Sequence, residues 1–198
     1  MHTLATKNDK SADAEAKPAA GLEDQLSFKS RYVLVFGEID DKLAQATCRR
    51  LLALAADSDA PITMLISSPG GHVESGDAIH DMIRFVRAPV TTVGSGWVAS
   101  AGVHIFLAPP KERRLCLPNT RFMIHQPAGG AGGQASDIAI QAREILRTRE
   151  RIAQTIATQT GKPLETVSRD IERDFWMSAD EAIAYGIVSR TIERQAEL

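Results

Sequence analysis

An apolar strand that runs directly into a glycine turn and then into a helix is the feature that most constrains how this chain folds. Ile62–Ile66 is apolar or β-branched throughout, residues 67–71 read Ser-Ser-Pro-Gly-Gly, and apolar residues at helical spacing follow from about Val73 to Arg87. This order is typical of a parallel sheet, in which each strand needs a crossover before the next one. It predicts an α/β fold with a largely parallel sheet and with functional loops at the carboxyl ends of the strands.

The same alternation of strands and helices recurs along the chain. Further apolar, β-rich runs predict strands at Tyr32–Phe36, Val90–Val93, Arg113–Leu117 and Arg121–His125. Apolar residues spaced three and four apart predict a helix across residues 44–55, where Asp40 and Asp41 suit a cap and a first-turn acid. Residues 94–102, which contain three glycines, predict a second tight turn before the short apolar run 103–108.

One helix is unusually long for a domain of this size. Ser136 suits its N-cap and Gly161 would end it, so it covers about 25 residues and roughly 37 Å. Its apolar residues form a narrow seam: Ile138, Ala142, Ile145, Ile152 and Ile156. We predict that this helix projects from the domain and packs against another subunit.

Composition excludes several classes of function. The chain has 198 residues, 43% of them hydrophobic, which is typical of one globular domain. Its 23 basic and 25 acidic residues give no net positive charge that would attract nucleic acid. The weakly charged stretch Pro89–Pro110 is broken by serines, glycines and a histidine, so no membrane span is expected. Cys48 and Cys116 are too few for a zinc site or a disulfide framework, which predicts reduced thiols and a cytoplasmic location.

The N-terminal residues differ from the rest of the chain. Residues 1–25 are rich in alanine and charged side chains and contain no apolar run, so they resemble neither a secretory signal nor a packed core. We predict a disordered tail over residues 1–25 and one ordered domain over residues 26–198.

The glycine turn at residues 67–71 is a candidate functional loop. It lacks the Lys-Ser/Thr ending of a P-loop and the spacing of a dinucleotide fingerprint, so phosphate binding is disfavoured. Adjacent Gly70 and Gly71 instead allow backbone N–H groups to face a ligand without obstruction by a Cβ atom. This is the geometry that an oxyanion hole requires.

The second glycine-containing turn holds a candidate nucleophile. Ser100 lies among small residues at the start of a predicted helix, where a substrate carbonyl could reach its Oγ. The structural alternative is an N-cap serine. The segment is not the Gly-x-Ser-x-Gly elbow, since Val98 replaces the first glycine, and it lacks the Ser-x-x-Lys spacing.

A serine nucleophile needs a base and an acid to orient that base. Of the five histidines, His2 lies in the tail, His80 is expected to be solvated on a helix face, and His125 emerges at the end of a predicted strand. A structural role for His125 remains an alternative. The orienting acid is left open among four candidates near one another in sequence: Asp170, Glu172, Asp174 and Asp180.

From Arg31 to Ile192 the chain resembles the Clp protease family of self-compartmentalising serine peptidases. The resemblance rests on four segments: Ser-Pro-Gly-Gly at 68–71, Ala-Ser-Ala-Gly at 99–102, Leu-Pro-Asn at 117–119 with Met-Ile-His-Gln-Pro at 123–127, and a C-terminal block at 172–186. It implies that Ser100 is the nucleophile, His125 the general base and Asp174 the orienting acid. Oxyanion or substrate-binding roles are implied for Gly70, Gly71, Ala101, Pro127, Gly129 and Gly130, with the oxyanion N–H donors on Gly71 and Ala101.

The resemblance also implies an architecture and partners. The family fold is the crotonase-like α/β fold, in which residues 127–160 would form a handle between two stacked rings of seven identical subunits. Such a chamber would hydrolyse peptide bonds of unfolded proteins, with no cofactor or metal. A Clp-type AAA+ ATPase is the implied partner, since this chain contains no P-loop of its own.

The chain departs from the family pattern at a few positions. Trp97 replaces a usual glutamine, Ala101 a common methionine and Ser67 an asparagine, which predicts an altered preference for the residue before the cleaved bond. The family's N-terminal segment that forms axial pore loops is not recognisable. Two alternatives remain: a structural ring subunit that assembles with an active paralogue, and an acyl-CoA enzyme of the crotonase fold.

Overall fold

The computed structural model of the chain describes residues 20–130 and 132–198. It divides into two units, with a boundary between Ser30 and Arg31. In the first unit, helix α1 (Ala20–Lys29) exposes Leu22 and Leu26. The predicted tail boundary at residue 25 falls inside this helix, and residues 1–19 lie outside the described residues.

The second unit alternates strands and helices as the sequence predicts. Its strands are β1 (Tyr32–Phe36), β2 (Ile62–Ser68), β3 (Val90–Ala99), β4 (Arg114–Cys116), β5 (Arg121–Ile124), β6 (Phe175–Met177) and β7 (Arg190–Thr191). Its α-helices are α2 (Asp41–Asp57), α3 (Val73–Phe85), α4 (Ala101–Phe106), α5 (Ala135–Thr160), α6 (Leu164–Asp170) and α7 (Ala179–Tyr185).

The strands form one mostly parallel sheet, which confirms the predicted fold class. Its main path is β1-β2-β3-β4-β7, and every neighbouring pair on that path is parallel. The ten-residue strand β3 is shared, because its first half pairs with β4 and its last three residues pair with β5. Strand β6 pairs with β5 in the antiparallel direction.

The strand registers bring three chain segments together at one edge of the sheet. Ala99 of β3 lies opposite Met123 of β5, so the residues that follow these strands are neighbours. Ile124, the last residue of β5, lies opposite Phe175 of β6, so the residue that follows β5 lies beside the residue that precedes β6. Positions 100, 125 and 174 therefore meet, although they are far apart in the sequence.

Buried side chains hold the helices against the sheet. Phe106 of α4 packs edge-on against Phe122 of β5, with ring centroids 5.1 Å apart.

Asp40 caps α2 as predicted, accepting a hydrogen bond from the Leu43 N–H at 2.8 Å. Arg114 is fully buried, donates to the Pro109 carbonyl and to Gln159 near the end of α5, and has a pKa that burial lowers to about 10.

Two local predictions are wrong. The predicted start of the second turn at Gly94 is wrong, because β3 continues to Ala99 and the turn falls at Ser100. Gly94 lies within the strand, where side-chain atoms of Phe122 and Thr120 come within 3.1 Å of where its Cβ atom would lie. Ser136 is not an N-cap, since α5 begins at Ala135 after Gln134. The predicted end is correct: Gly161 adopts the left-handed conformation at φ +75°.

The fully buried residues of helix α5 lie in only one of its halves. Its buried residues, Ala153, Ile156 and Ala157, all lie in the C-terminal half, whereas residues 135–144 are exposed throughout. At 26 residues the helix is about 39 Å long. No helix within residues 20–130 and 132–198 combines the length and apolar character that crossing a bilayer requires.

Candidate active site

Ser100 lies in the sharp turn between β3 and α4. Its backbone has φ +54° and ψ −121°, a conformation that is strained for a residue with a Cβ atom. The turn is held by the Ser100 N–H, which donates to the Met123 carbonyl at 2.9 Å. Ser100 occupies the N-cap position of α4, but its Oγ makes no capping bond and instead lies 2.8 Å from His125 Nε2, so its hydroxyl has no capping role.

His125 connects Ser100 to a carboxylate. Its Nδ1 lies 2.9 Å from Asp174 Oδ1. Because an ionised carboxylate can only accept, Nδ1 carries the ring proton and Nε2 is free to accept from the Ser100 hydroxyl. The geometry is a continuous chain of two hydrogen bonds from the hydroxyl to Asp174.

The tertiary structure separates the four acids that the sequence left open. Asp170 accepts a hydrogen bond from the Tyr185 hydroxyl at 3.0 Å, and Glu172 pairs with Arg149 at 2.6 Å. Asp180 lies exposed in the first turn of α7. Among these four, only Asp174 contacts His125.

The glycine turn after β2 packs directly against the serine turn. A Cβ atom on Gly70 would lie 2.6 Å from Ser100 Cβ, and one on Gly71 would lie 2.3 Å from the Ile39 carbonyl oxygen. Both glycines have positive φ, +97° and +147°. The Gly70 N–H donates to Ser68 Oγ at 3.0 Å, whereas the N–H groups of Gly71 and Ala101 have no acceptor among residues 20–130 and 132–198.

A narrow cavity of about 30 Å³ opens beside Ser100 and His125. Its remaining walls are mainly apolar: Val73, Ala101, Val103, His104, Ile124, Pro127, Ile152 and Ile156. Gly129 and Gly130 lie outside these walls. Residues 125–130 have no regular structure, Gly129 lies against Ile145 of α5, and Gly130 is open to solvent.

The unusual residues of the sequence take different places. Ala101 lines the cavity, whereas Trp97 and Ser67 do not. Trp97 is 45% exposed on β3 opposite Arg121, and Ser67 Oγ lies beside Gly96. A direct effect on the cavity is therefore expected from Ala101 alone.

His80 is not solvated, contrary to the sequence-based expectation. It is buried on α3, and its ring stacks on that of His104 with centroids 4.4 Å apart. Burial lowers the pKa of His80, and the neighbouring His104 lowers it further. The expectation failed because α4 covers this face of α3; His104 itself was missed, although it lies one helical turn after Ser100.

Within residues 20–130 and 132–198, no cluster of three or more His, Cys, Asp or Glu side chains has the arrangement of a metal site. A serine bonded to a histidine–aspartate pair at the edge of a parallel α/β sheet is the arrangement of a serine hydrolase.

Comparison with known proteins identifies the family. The Clp protease family model matches residues 21–195. A Rhizobium johnstonii protein named ATP-dependent Clp protease proteolytic subunit 3 is 53% identical over 96% of this chain and all of its own length. A Paracoccus denitrificans ATP-dependent Clp protease proteolytic subunit is 50% identical over the full length of both chains. The solved structure of ClpP1 from Listeria monocytogenes has a TM-score of 0.81 and 50% identity, covering 89% of this chain and 99% of that one.

The chain therefore belongs to the Clp protease family. It is a serine-type peptidase and functions as a Clp protease proteolytic subunit, as the sequence resemblance predicted.

Proposed function

We propose that Ser100 is the nucleophile, His125 the general base and Asp174 the residue that orients it in an endopeptidase that cleaves unfolded polypeptides. The observation that carries this assignment is the pair of hydrogen bonds, 2.8 and 2.9 Å long, that joins the three side chains. His125 takes the Ser100 proton during attack on the peptide carbonyl and returns it to the leaving amine. Water, deprotonated by the same histidine, then hydrolyses the acyl-enzyme.

The N–H groups of Gly71 and Ala101 would stabilise the oxyanion of the tetrahedral intermediate. What supports this role is that both lie in turns adjoining Ser100 and that neither has an acceptor within residues 20–130 and 132–198. Loss of one such donor costs about 3 kcal/mol in the transition state. Gly70 would contribute by permitting close contact between the two turns, since its own N–H is bonded to Ser68.

Gly71→Ala should lower kcat/KM at least about 100-fold, because the new Cβ would displace the proposed oxyanion donor. The variant should also lose about 1–3 kcal/mol of stability through backbone strain at φ +147° and the clash with Ile39. Peptide hydrolysis and thermal unfolding measure the two effects. Gly21→Ala, which adds the same methyl group in open space, should change neither activity nor stability adversely. Wild-type activity in Gly71→Ala would contradict the proposed donor.

The segment 127–130 would hold the substrate backbone. Pro127 borders the cavity beside Ser100, and residues 128–130 after it have no regular secondary structure and no strand partner. An extended peptide could therefore add alongside it by backbone hydrogen bonds, with Gly129 and Gly130 offering unobstructed N–H and C=O groups.

The exposed half of α5 supports assembly into two stacked rings of seven identical subunits. Ile138, Ile140 and Leu146 are 41%, 51% and 55% exposed, which is costly for apolar residues on one projecting helix. Packing of this half against the equivalent helix of another subunit would bury them. The ring would enclose the proposed triads in a chamber, in the cytoplasm, where the two free cysteines would remain reduced.

Replacing both Ile138 and Leu146 by glutamate should separate the two rings and halve the mass of the particle, because buried carboxylates would oppose the contact. Analytical ultracentrifugation measures that mass. Gln141→Glu adds a charge on the same exposed half-helix without removing an apolar contact and should leave the mass unchanged. A double variant of wild-type mass would contradict this interface.

A Clp-type AAA+ ATPase would supply unfolded substrate to the chamber. What supports an ATPase partner is that the chain lacks a P-loop, while its relatives are named as subunits of ATP-dependent Clp proteases. The sheet also leaves an apolar groove near Leu34, Leu65 and Leu117, and Leu34 is 57% exposed. A partner's apolar side chain would fill this groove.

Labelling with a fluorophosphonate tests the assignment of Ser100 directly. The assembled protein should form one covalent adduct, located at Ser100 by peptide mass spectrometry, because the neighbouring His125 activates that hydroxyl. His125→Ala should abolish the adduct while leaving the serine in place. An assembled ring that is not labelled at Ser100 would overturn the proposal.

A further inference from the structure

A second cavity, of about 490 Å³, lies where helices α3, α4 and α5 end, and it shares no lining residue with the cavity beside Ser100. Sites for small molecules usually have volumes of roughly 300–1,000 Å³. Three of the residues that line this cavity are arginines: Arg84, Arg87 and Arg113. None of the described residues in its walls is acidic, so the lining side chains give the cavity a positive charge.

Two of these three charges have no partner in the protein. The side chains of Arg84 and Arg113 form no ion pair or hydrogen bond with any residue among 20–130 and 132–198. Arg87 Nε lies 3.5 Å from Asp59 Oδ1, but both side chains are exposed, and such a pair contributes little. Arg84 and Arg87 are exposed and Arg113 is partly exposed, so each flexible side chain can turn its guanidinium toward a ligand.

A fourth arginine is buried behind the wall of this cavity. Arg114 donates hydrogen bonds to the backbone carbonyls of Pro109 and Gln159, which both line the cavity, and to the Gln159 side chain. None of these acceptors is a carboxylate. Burial lowers the pKa of Arg114 to about 10, which leaves the group charged at neutral pH, and the nearby Glu112 is exposed. A buried charge without a carboxylate partner is costly, and an anion in the cavity would offset part of that cost.

The helix ends account for part of this positive charge. Arg84 lies in the last turn of α3, and Arg114 bonds to a carbonyl near the end of α5, where cations are favourable. Each helix C-terminus carries roughly half a negative charge, so the three helices together supply at most about 1.5. Four arginines exceed that value. The cavity therefore retains positive charge that the helix ends do not balance.

We propose that this cavity binds a small molecule that contains a diphosphate group. Guanidinium groups bind phosphate oxygens through paired hydrogen bonds, and several cations around one cavity favour a ligand with more than one negative charge over a single carboxylate. The other walls include Val86, Pro89 and Pro110, which would contact an organic part of the ligand. The diphosphate is the chemistry that the arginines recognise, whether it is free pyrophosphate or part of a nucleoside diphosphate.

Isothermal titration calorimetry of the assembled protein tests this site. The probes are inorganic pyrophosphate and ADP, each in a phosphate-free buffer without divalent cations, which would compete for the anion. We expect saturable binding at one site per subunit with a Kd below about 1 mM. Acetate, which carries one charge, should bind at least about tenfold more weakly. A lower Kd for ADP than for pyrophosphate would support a nucleoside diphosphate, and equal values would support the free anion.

Two glutamine variants test the arginines themselves. Arg84→Gln and Arg113→Gln should each raise the Kd for pyrophosphate by at least about tenfold, because each removes a charge-assisted hydrogen bond to the ligand. Neither side chain has a partner that the substitution would leave unpaired, so both variants should fold and assemble. Arg49→Gln is the matched control: it removes an exposed guanidinium from α2 that does not line the cavity, and it should leave the Kd unchanged.

The absence of saturable pyrophosphate binding to the wild type would overturn this inference, and that result needs no variant to fold. An equal rise in Kd for Arg49→Gln and Arg84→Gln would also overturn it, since the binding would then depend only on net charge. Peptide hydrolysis should be unchanged in all three variants, because the two cavities share no lining residue. The result is therefore independent of the role proposed for Ser100.

Discussion

Ser100→Ala should lower kcat for peptide hydrolysis by about 10⁶-fold, the loss typical of a serine peptidase deprived of its nucleophile. The substitution removes the oxygen that lies 2.8 Å from His125 Nε2 and leaves the Cβ atom in place. The backbone bond from the Ser100 N–H to Met123 is unaffected, so the variant should assemble and unfold as the wild type does. Hydrolysis of a fluorogenic peptide, with particle mass and thermal unfolding measured in parallel, checks both expectations.

Ser100→Gly is the matched control for that result. It is equally inactive, but it relieves the strain of a Cβ atom at φ +54°, so it should be more stable than Ser100→Ala by about 1 kcal/mol. A glycine variant less stable than the alanine variant would show that this turn stores no strain. Retained turnover in either variant would contradict the role of Ser100.

Asp174→Asn should lower kcat/KM by about 10³-fold. The amide can donate to His125 Nδ1, which moves the ring proton to Nε2 and leaves no acceptor for the Ser100 proton. The effect should be smaller than the about 10⁴-fold typical of a buried aspartate, because the Asp174 side chain is 62% exposed and water partly replaces its contact. Steady-state peptide hydrolysis measures the loss.

Asp180→Asn provides the comparison within the same C-terminal segment. Asp180 lies exposed in the first turn of α7, and the tertiary structure gives it no contact with His125. Its substitution should leave kcat/KM unchanged. If Asp180→Asn were as inactive as Asp174→Asn, the loss would reflect the charge of the segment and not a hydrogen bond to the histidine.

Most of the fold could be predicted from the sequence because its strands, helices and helix ends depend on residues that are close together in the chain. Alternating apolar strands and amphipathic helices were correctly located, as were the cap at Asp40 and the helix end at Gly161, since strand burial, capping and left-handed turns depend on neighbouring residues. Gly94 was misassigned for the opposite reason. A glycine is required at position 94 because the side chains of Phe122 and Thr120, from another part of the chain, occupy the space beside it that a Cβ atom would need.

The candidate residues of the site could be predicted from the sequence, but the hydrogen bonds between them could be predicted only in part. Residues alone indicated Ser100 and His125 but left four acids open, and the family resemblance pointed to Asp174. In the structure, the antiparallel pairing of β5 with β6 places Asp174, and none of the other three acids, beside His125. A register of this kind is set by long-range packing, which spacing within the sequence does not encode.

The sequence by itself determined an α/β domain with a serine, a histidine and glycine turns at strand ends. Only the tertiary structure decided which acid completes the hydrogen-bonded chain, that His80 is buried under α4, and that His104 lines the cavity beside Ser100. The physical reason is the same in each case: the residues that a side chain contacts depend on which helices and strands pack against its own element. Those partners lie 24 residues away for His80 and His104 and 49 for His125 and Asp174.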